Sequence, residues 1–181
     1  MQAFTLWLPI AIVATALTLL VYVGLQQNYR QSANDPQIQW AEDTAAALNT
    51  GSTPQSQVSS QVVNIATSLA PFTIITDENG KILASSATLA GKTPVPPQGV
   101  LDNAKSSENR LTWEPQPNLR FATVVVHYSG KTSGYVISGR SLREVENRVN
   151  DLGTMTLWDY AAFMVVSFIA VLFALPQGKN K

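Results

Sequence analysis

Two long runs without a charged side chain limit what this chain can fold into. Residues 1–29 carry no charge and neither do residues 160–178, so most charges lie between Arg30 and Asp159. A helix needs roughly 20 apolar residues to cross the hydrocarbon core of a bilayer. Trp7 and Tyr22 lie near the ends of the first run, where interfacial aromatic residues are expected. We therefore predict transmembrane helices at residues 3–26 and 155–175, bracketing one ordinary domain.

A cleaved signal peptide is the alternative for the first run. No Lys or Arg precedes the run, and the sequence VGLQQ at its end lacks the small residues of a cleavage site. The run is also longer than the apolar region of a signal peptide. These features favour an uncleaved membrane anchor.

The composition argues against several classes of protein. The chain has 12 basic and 12 acidic residues and no basic stripe, so a nucleic-acid partner is not expected. It has no Cys, which removes disulfides and thiol chemistry. The single histidine, His127, lies in a candidate strand without clustered metal ligands. No Ser-His-Asp set, phosphate loop or carboxylate pair stands out, so we expect no enzyme activity, catalytic residue, metal or cofactor.

The central domain is predicted from a hairpin signal at residues 72–86, FTIITDENGKILASS. Two apolar, β-branched runs flank a polar loop that ends in Gly80, and glycine supplies the positive φ that such a loop needs. Three further strands are predicted at residues 110–114, 120–128 and 135–139, separated by turn-forming loops. Residues 121–126 are apolar on both faces, which indicates an interior strand.

Helices are predicted on both sides of the hairpin. Asp35-Pro36 resembles a helix start, and apolar residues follow at helical spacing: Ile38, Ala41, Ala45 and Leu48. A Ser/Thr/Gln-rich connector leads to a second short amphipathic helix carrying Val62, Ile65, Ala66 and Leu69. A crossing segment, residues 87–109, is predicted to contain a helix at 100–105. Residues 27–71 thus form a helical lead-in and connector to a sheet domain at 72–140.

The segment after the last strand predicts a juxtamembrane helix at residues 141–154. Ser141 and Glu144 have the spacing of a capping box, and Glu144 and Arg148 are placed for an i,i+4 ion pair. A narrow apolar seam follows at 3-4-3 spacing: Leu142, Val145, Val149 and Leu152. This helix would run into the second span, and residues 176–181 would form a short cytoplasmic tail.

The order of elements, with the motifs ITDENGKILASS and GRSLREVENR, resembles the PAS/Cache-like extracytoplasmic sensor domains of two-pass bacterial histidine kinases. The resemblance implies an α+β fold, a five-stranded antiparallel sheet with flanking helices, bracketed here by two transmembrane helices. It also implies signal transduction through residues 141–154. The chain departs from the family because no helical hairpin with a phospho-accepting His and no ATP-binding domain follows. We therefore expect a separate output partner.

We predict ligand binding by amphipathic residues beside the pocket of such a fold: Trp113, Arg120, Tyr128, Tyr135 and Arg140. Arginines between aromatic walls would suit a small anionic ligand. The alternative is that the aromatic residues are core and that the arginines pair with Glu114 or Glu144.

Partners and sidedness follow from the same layout. The lipid bilayer is one expected partner, and a homodimer or a partner membrane signalling protein is the other. Lys179 and Lys181 favour cytoplasmic termini and a domain outside the cytoplasmic membrane, whereas Arg143 and Arg148 favour the reverse. We expect the external placement. An alternative function is an assembly or stabilising subunit that binds a partner protein and no small molecule.

Overall fold

The computed structural model describes residues 2–32 and 35–175. The helices in these ranges are α1 (Gln2–Ser32), α2 (Asp35–Asn49), α3 (Gln98–Asn103) and α4 (Arg143–Ala174), with a 3-10 turn at Pro54–Gln57. The strands are β1 (Val63–Asn64), β2 (Phe72–Asp77), β3 (Ile82–Ser85), β4 (Ala87–Thr88), β5 (Asn109–Gln116), β6 (Leu119–Ser129) and β7 (Ser133–Ser141). The chain divides into a sheet unit, Arg30–Glu146, and a unit formed by the residues before and after it.

The main sheet has the order β3-β2-β7-β6-β5, and every neighbouring pair is antiparallel. The predicted α+β class, with a five-stranded antiparallel sheet and flanking helices, is confirmed. The interior placement of β6 is also correct, because β5 and β7 flank it and residues 121–125 are buried. The middle strand of the sheet is β7.

The predicted hairpin joins β2 to β3. The side chain of Asp77 organises the loop, because its Oδ1 atom accepts the N–H groups of Asn79 and Lys81, each at 2.9 Å. Gly80 has a φ of 75°, a conformation that glycine adopts at little cost. The loop therefore closes through the residues that the sequence indicated.

Helix α2 covers one face of the sheet, as its apolar spacing predicted. Ala41, Ala45 and Leu48 are buried in a cluster with Ile75 and Val124. The opposite face forms a second cluster, to which the crossing segment contributes Leu101 of α3: Ile65, Phe72, Ile74, Leu101, Trp113, Phe121, Val125, Tyr135 and Ile137. Each face of the sheet thus carries a buried apolar cluster. Helix α3 begins two residues earlier than the predicted helix at 100–105.

The short helix predicted from Val62, Ile65, Ala66 and Leu69 is wrong. Val63 and Asn64 instead form β1, parallel to β4, with the Val63 N–H donating to Ser86 O at 2.6 Å. Asn64 then turns the chain, because its Oδ1 accepts the Ala66 N–H at 3.1 Å. An eight-residue helix has few internal hydrogen bonds to offset its nucleation cost, whereas β4 offers partners immediately. Ile65 is still buried, as the helical interpretation required.

The start of α4 also differs from the prediction. Ser141 is the last residue of β7, and its Oγ accepts the N–H of Arg143 at 3.3 Å. Leu142 O accepts the first helical hydrogen bond, from Glu146 N–H at 2.8 Å. The helix therefore begins beyond Ser141, so the capping position is shifted from the one the motif predicted. The predicted segments 141–154 and 155–175 form a single helix from Arg143 to Ala174.

Both apolar helices are long and apolar enough to span a membrane. An 18-residue stretch has a mean hydropathy of 2.3 in the helix Gln2–Tyr29 and of 2.0 in the helix Arg143–Ala174. Their contacts are antiparallel: Trp7 Nε1 donates to Ser167 Oγ at 2.9 Å, and the hydroxyl groups of Thr15 and Tyr160 are 2.6 Å apart. The predicted tail, residues 176–181 with Lys179 and Lys181, lies outside the described residues.

Candidate functional site

The three aromatic residues of the predicted ligand site are core residues on opposite faces of the sheet. Trp113 and Tyr135 belong to the cluster under α3, with exposed fractions of 7% and 0%. Tyr128 is 1% exposed in the cluster under α2. The sheet separates them, so they do not line one pocket. The alternative reading, that these residues are core, describes them correctly.

The two arginines of the predicted site are exposed and lie on the α2 side of the sheet. Arg120 Nη1 contacts Glu146 Oε1 at 2.6 Å, with both side chains about half exposed. Arg140 is exposed on β7, opposite Ala122 of β6. The Oε1 atom of Glu114 accepts a hydrogen bond from the N–H of Asn118. Arg120 therefore pairs with Glu146, and the five predicted residues are not brought together.

The first turn of α4 is held to the sheet unit by three contacts. Leu142 N–H donates to Arg120 O at 2.9 Å, and Arg120 pairs with Glu146 as above. Arg143 Nη2 donates to Thr67 O at 2.8 Å, in the turn after β1. The start of the helix is thereby connected to β6 and to the turn that follows β1. Glu146 is half-buried, so this junction is only partly screened by water.

The seam predicted on this helix is present as a face of half-buried residues, Leu142, Val145, Val149 and Leu152. Its spacing places them on one side of α4, since residues three and four apart are neighbours on a helix. The predicted ion pair between Glu144 and Arg148 stays a prediction.

A polar cluster at the loop end of the hairpin was not predicted. His127 Nε2 lies 2.7 Å from Glu78 Oε1, and the His127 ring packs edge-on against Tyr135 with centroids 5.4 Å apart. Lys105 Nζ lies 3.0 Å from Asp102 Oδ1 and 3.9 Å from Glu78 Oε2. The Tyr135 hydroxyl donates to Asp102 Oδ1 at 3.4 Å. The cluster joins the hairpin loop, α3, β6 and β7.

The acidic and basic groups of this polar cluster stabilise one another's charged forms. The hydrogen bond from His127 lowers the pKa of Glu78, and the contact with Lys105 lowers the pKa of Asp102. Asp102 in turn raises the pKa of Lys105, and burial raises the pKa of the Tyr135 hydroxyl. Each shift favours the form already present at neutral pH. The cluster therefore ties the hairpin loop and α3 to β6 and β7.

Sequence alone gives little signal for this cluster. His127 and Tyr135 become neighbours through the register of β6 and β7, and Glu78 approaches only because the loop folds toward α3. No group of three or more His, Cys, Asp or Glu side chains within residues 2–32 and 35–175 is placed to hold a metal ion.

Comparison with known proteins gives no relative from which a function could be inferred. No family model, no curated protein and no solved structure matches the chain.

Proposed function

We propose that this chain is a two-pass membrane protein whose sheet unit is a PAS/Cache-like sensor module outside the cytoplasmic membrane. Its role is to relay a signal through α4 to a separate output partner. The resemblance is supported by the topology: a hairpin, a crossing segment with a helix, and three strands that meander back to close one antiparallel sheet. Both faces of that sheet are covered, as in a domain with a stable core.

The single observation that carries the relay is the continuity of α4. The helix runs unbroken from Arg143, beside the last strand, to Ala174 at the end of the second apolar run. Its backbone hydrogen bonds keep successive turns in fixed rotational phase. The contacts of Arg120 and Thr67 with its first turn support the proposal that a rearrangement of β6 or of the turn after β1 is passed to the helix.

The test is a phase experiment on residues 1–175, fused after Leu175 to the output half of a histidine kinase with a reporter gene. Junctions one residue apart first identify an active phase. One residue inserted after Asn147 then rotates everything beyond it by about 100°, and seven residues restore the phase closely. A relay predicts loss of regulated output with one residue and its retention with seven.

A matched control inserts one residue after Gly51, in the connector that precedes the sheet. This insertion leaves the phase of α4 unchanged, so regulated output should persist. Equal output from the one-residue and seven-residue insertions after Asn147 would show a passive tether and would refute the relay.

A second candidate is an assembly or stabilising subunit that binds a partner protein and no small molecule. It is favoured by the fate of the predicted ligand residues, since the aromatics fill the core and Arg120 is engaged by Glu146. If the chain has this second function, we expect the phase experiment to show a passive tether.

A further inference from the structure

A groove lies on the outer side of α2, away from the polar cluster and from the start of α4. It has a volume of about 730 Å³, within the usual range of roughly 300–1,000 Å³ for small-molecule sites. One wall is α2, with Pro36, Trp40 and Asp43, and the other is the connector at residues 56–59. The apolar face of α2 points the other way, into the sheet, so the core does not use these side chains of the outer face.

Both walls of the groove are held in place. Thr44 in the helix wall is buried, with 5% of its surface exposed, and Val58 in the connector packs against the core under α2. Gln55 Nε2 donates to Leu83 O at 3.1 Å, which attaches the connector to the β3 edge. Ser56 Oγ donates to Thr53 O at 2.8 Å within the 3-10 turn. The groove is therefore shaped before any ligand arrives.

The chemistry of the lining favours a positive charge. Asp43 is the one formally charged side chain among the described lining residues. Trp40 is 53% exposed, so much of its large aromatic surface is left in water. The two are three residues apart on α2, so they are neighbours on one helix face. An indole face attracts cations, and it does so more strongly than the ring of Tyr or Phe.

We propose that this groove binds an organic ammonium ion, held between the indole of Trp40 and the carboxylate of Asp43. The remaining lining, made of Pro36, Val58 and neutral polar side chains, surrounds the alkyl part of such a ligand without competing for its charge. This inference does not rest on the relay through α4, and its failure would leave the phase experiment unaffected.

The experiment uses the full chain in detergent micelles, labelled with 5-fluorotryptophan and observed by ¹⁹F NMR. The chain has four Trp residues, and Trp40→Phe assigns the Trp40 resonance by its loss. Choline and lysine methyl ester are titrated separately at constant ionic strength, because exposed charges are screened by salt. The Trp40 resonance should shift saturably with at least one of these ammonium probes, and the buried Trp113 resonance should not move.

Two controls make the result decisive. Asp43→Asn should weaken binding by up to about fivefold, the scale of one exposed charge contact, while Glu42→Gln, which removes the neighbouring carboxylate outside the groove, should leave binding unchanged. 3,3-Dimethylbutan-1-ol, the neutral isostere of choline, should not bind. Absence of a saturable Trp40 shift with both ammonium probes would overturn the proposal. So would an equal shift with the neutral isostere, or equal weakening by the two carboxylate variants.

Discussion

Gly139→Ala tests the packing of the core beneath α3. Gly139 of β7 is opposite Phe72 of β2, and the absent side chain leaves the space that the Phe72 ring occupies. A Cβ atom at residue 139 would overlap that ring, with Cε1 and Cε2 each 2.9 Å away and Cζ closer still. The ring is 2% exposed and packs edge-on against Phe121 at a centroid distance of 5.3 Å. It therefore has no free direction in which to move.

The expected cost follows from that confinement. Overpacking a well-packed core typically destabilises by about 1–3 kcal/mol, and a rigid buried ring places this site in the upper half of the range. For a unit of this size, about 4 °C of melting temperature is lost per kcal/mol. Gly139→Ala should thus lower the melting temperature of the sheet unit by about 8–12 °C.

The assay is thermal unfolding of the full chain in detergent, followed by near-ultraviolet circular dichroism, to which Trp113 beside Phe72 contributes. Phe72→Leu alone should cost about 1–2 kcal/mol, less than the roughly 3–5 kcal/mol of a Phe→Ala change. In the double variant the smaller side chain leaves room for the new methyl group. The combined loss should be at least about 1 kcal/mol smaller than the sum of the two single losses.

Gly99→Ala is the matched control, because nothing lies within 4 Å of the Cβ it would add. In α3 this change should be neutral or stabilising by up to about 1 kcal/mol. If Gly139→Ala were as harmless as Gly99→Ala, or if the two core changes were additive within about 0.5 kcal/mol, the steric argument would be wrong.

Three further predictions concern charges and topology. The hydrogen bond from His127 lowers the pKa of Glu78 below its ordinary value of 4.5. The ionised carboxylate therefore stabilises the folded state at pH values above 4.5. This stabilisation is lost as the pH falls through the lowered pKa. Between about pH 6 and pH 3 the melting temperature of the wild type should fall more steeply than that of Glu78→Gln, and parallel curves would contradict this. Arg120→Ala should lower the stability of the fold by only about 0.2–1 kcal/mol, because its ion pair with Glu146 is half exposed. The same variant should nevertheless exchange its amide hydrogens faster in the first turn of α4. Unchanged exchange would show that the ion pair does not hold the helix. Alkaline phosphatase fused after Lys181 should be inactive, and activity there would reverse the proposed orientation.

The parts of the fold that sequence reasoning predicted are those specified locally. Asp77 and Gly80 sit within four positions of each other and close one loop between two apolar runs. Ala41, Ala45 and Leu48 define one face of α2 by spacing alone. The two charge-free runs are likewise readable without knowledge of any partner segment.

The failures have a common cause in contacts between distant segments. The 62–69 segment has helical spacing. The hydrogen bonds that compete with a helix come from β4, a separate segment, so no pattern within residues 62–69 predicts them. The meeting of His127 with Glu78 depends on strand register and on loop docking across 49 positions, which no local pattern contains.

The antiparallel contact between α1 and α4 has a consequence for how the protein is made. Thr15 and Tyr160, whose hydroxyl groups meet, are 145 residues apart. At a synthesis rate of about 5–20 residues per second, the later residue emerges roughly 7–30 s after the earlier one. In the proposed two-pass arrangement, α1 would be surrounded during that interval by lipid or by other proteins. The hydroxyl of Thr15 donates to Ala11 O within its own helix, so this polar group would already have a hydrogen-bond partner in the bilayer before α4 is made.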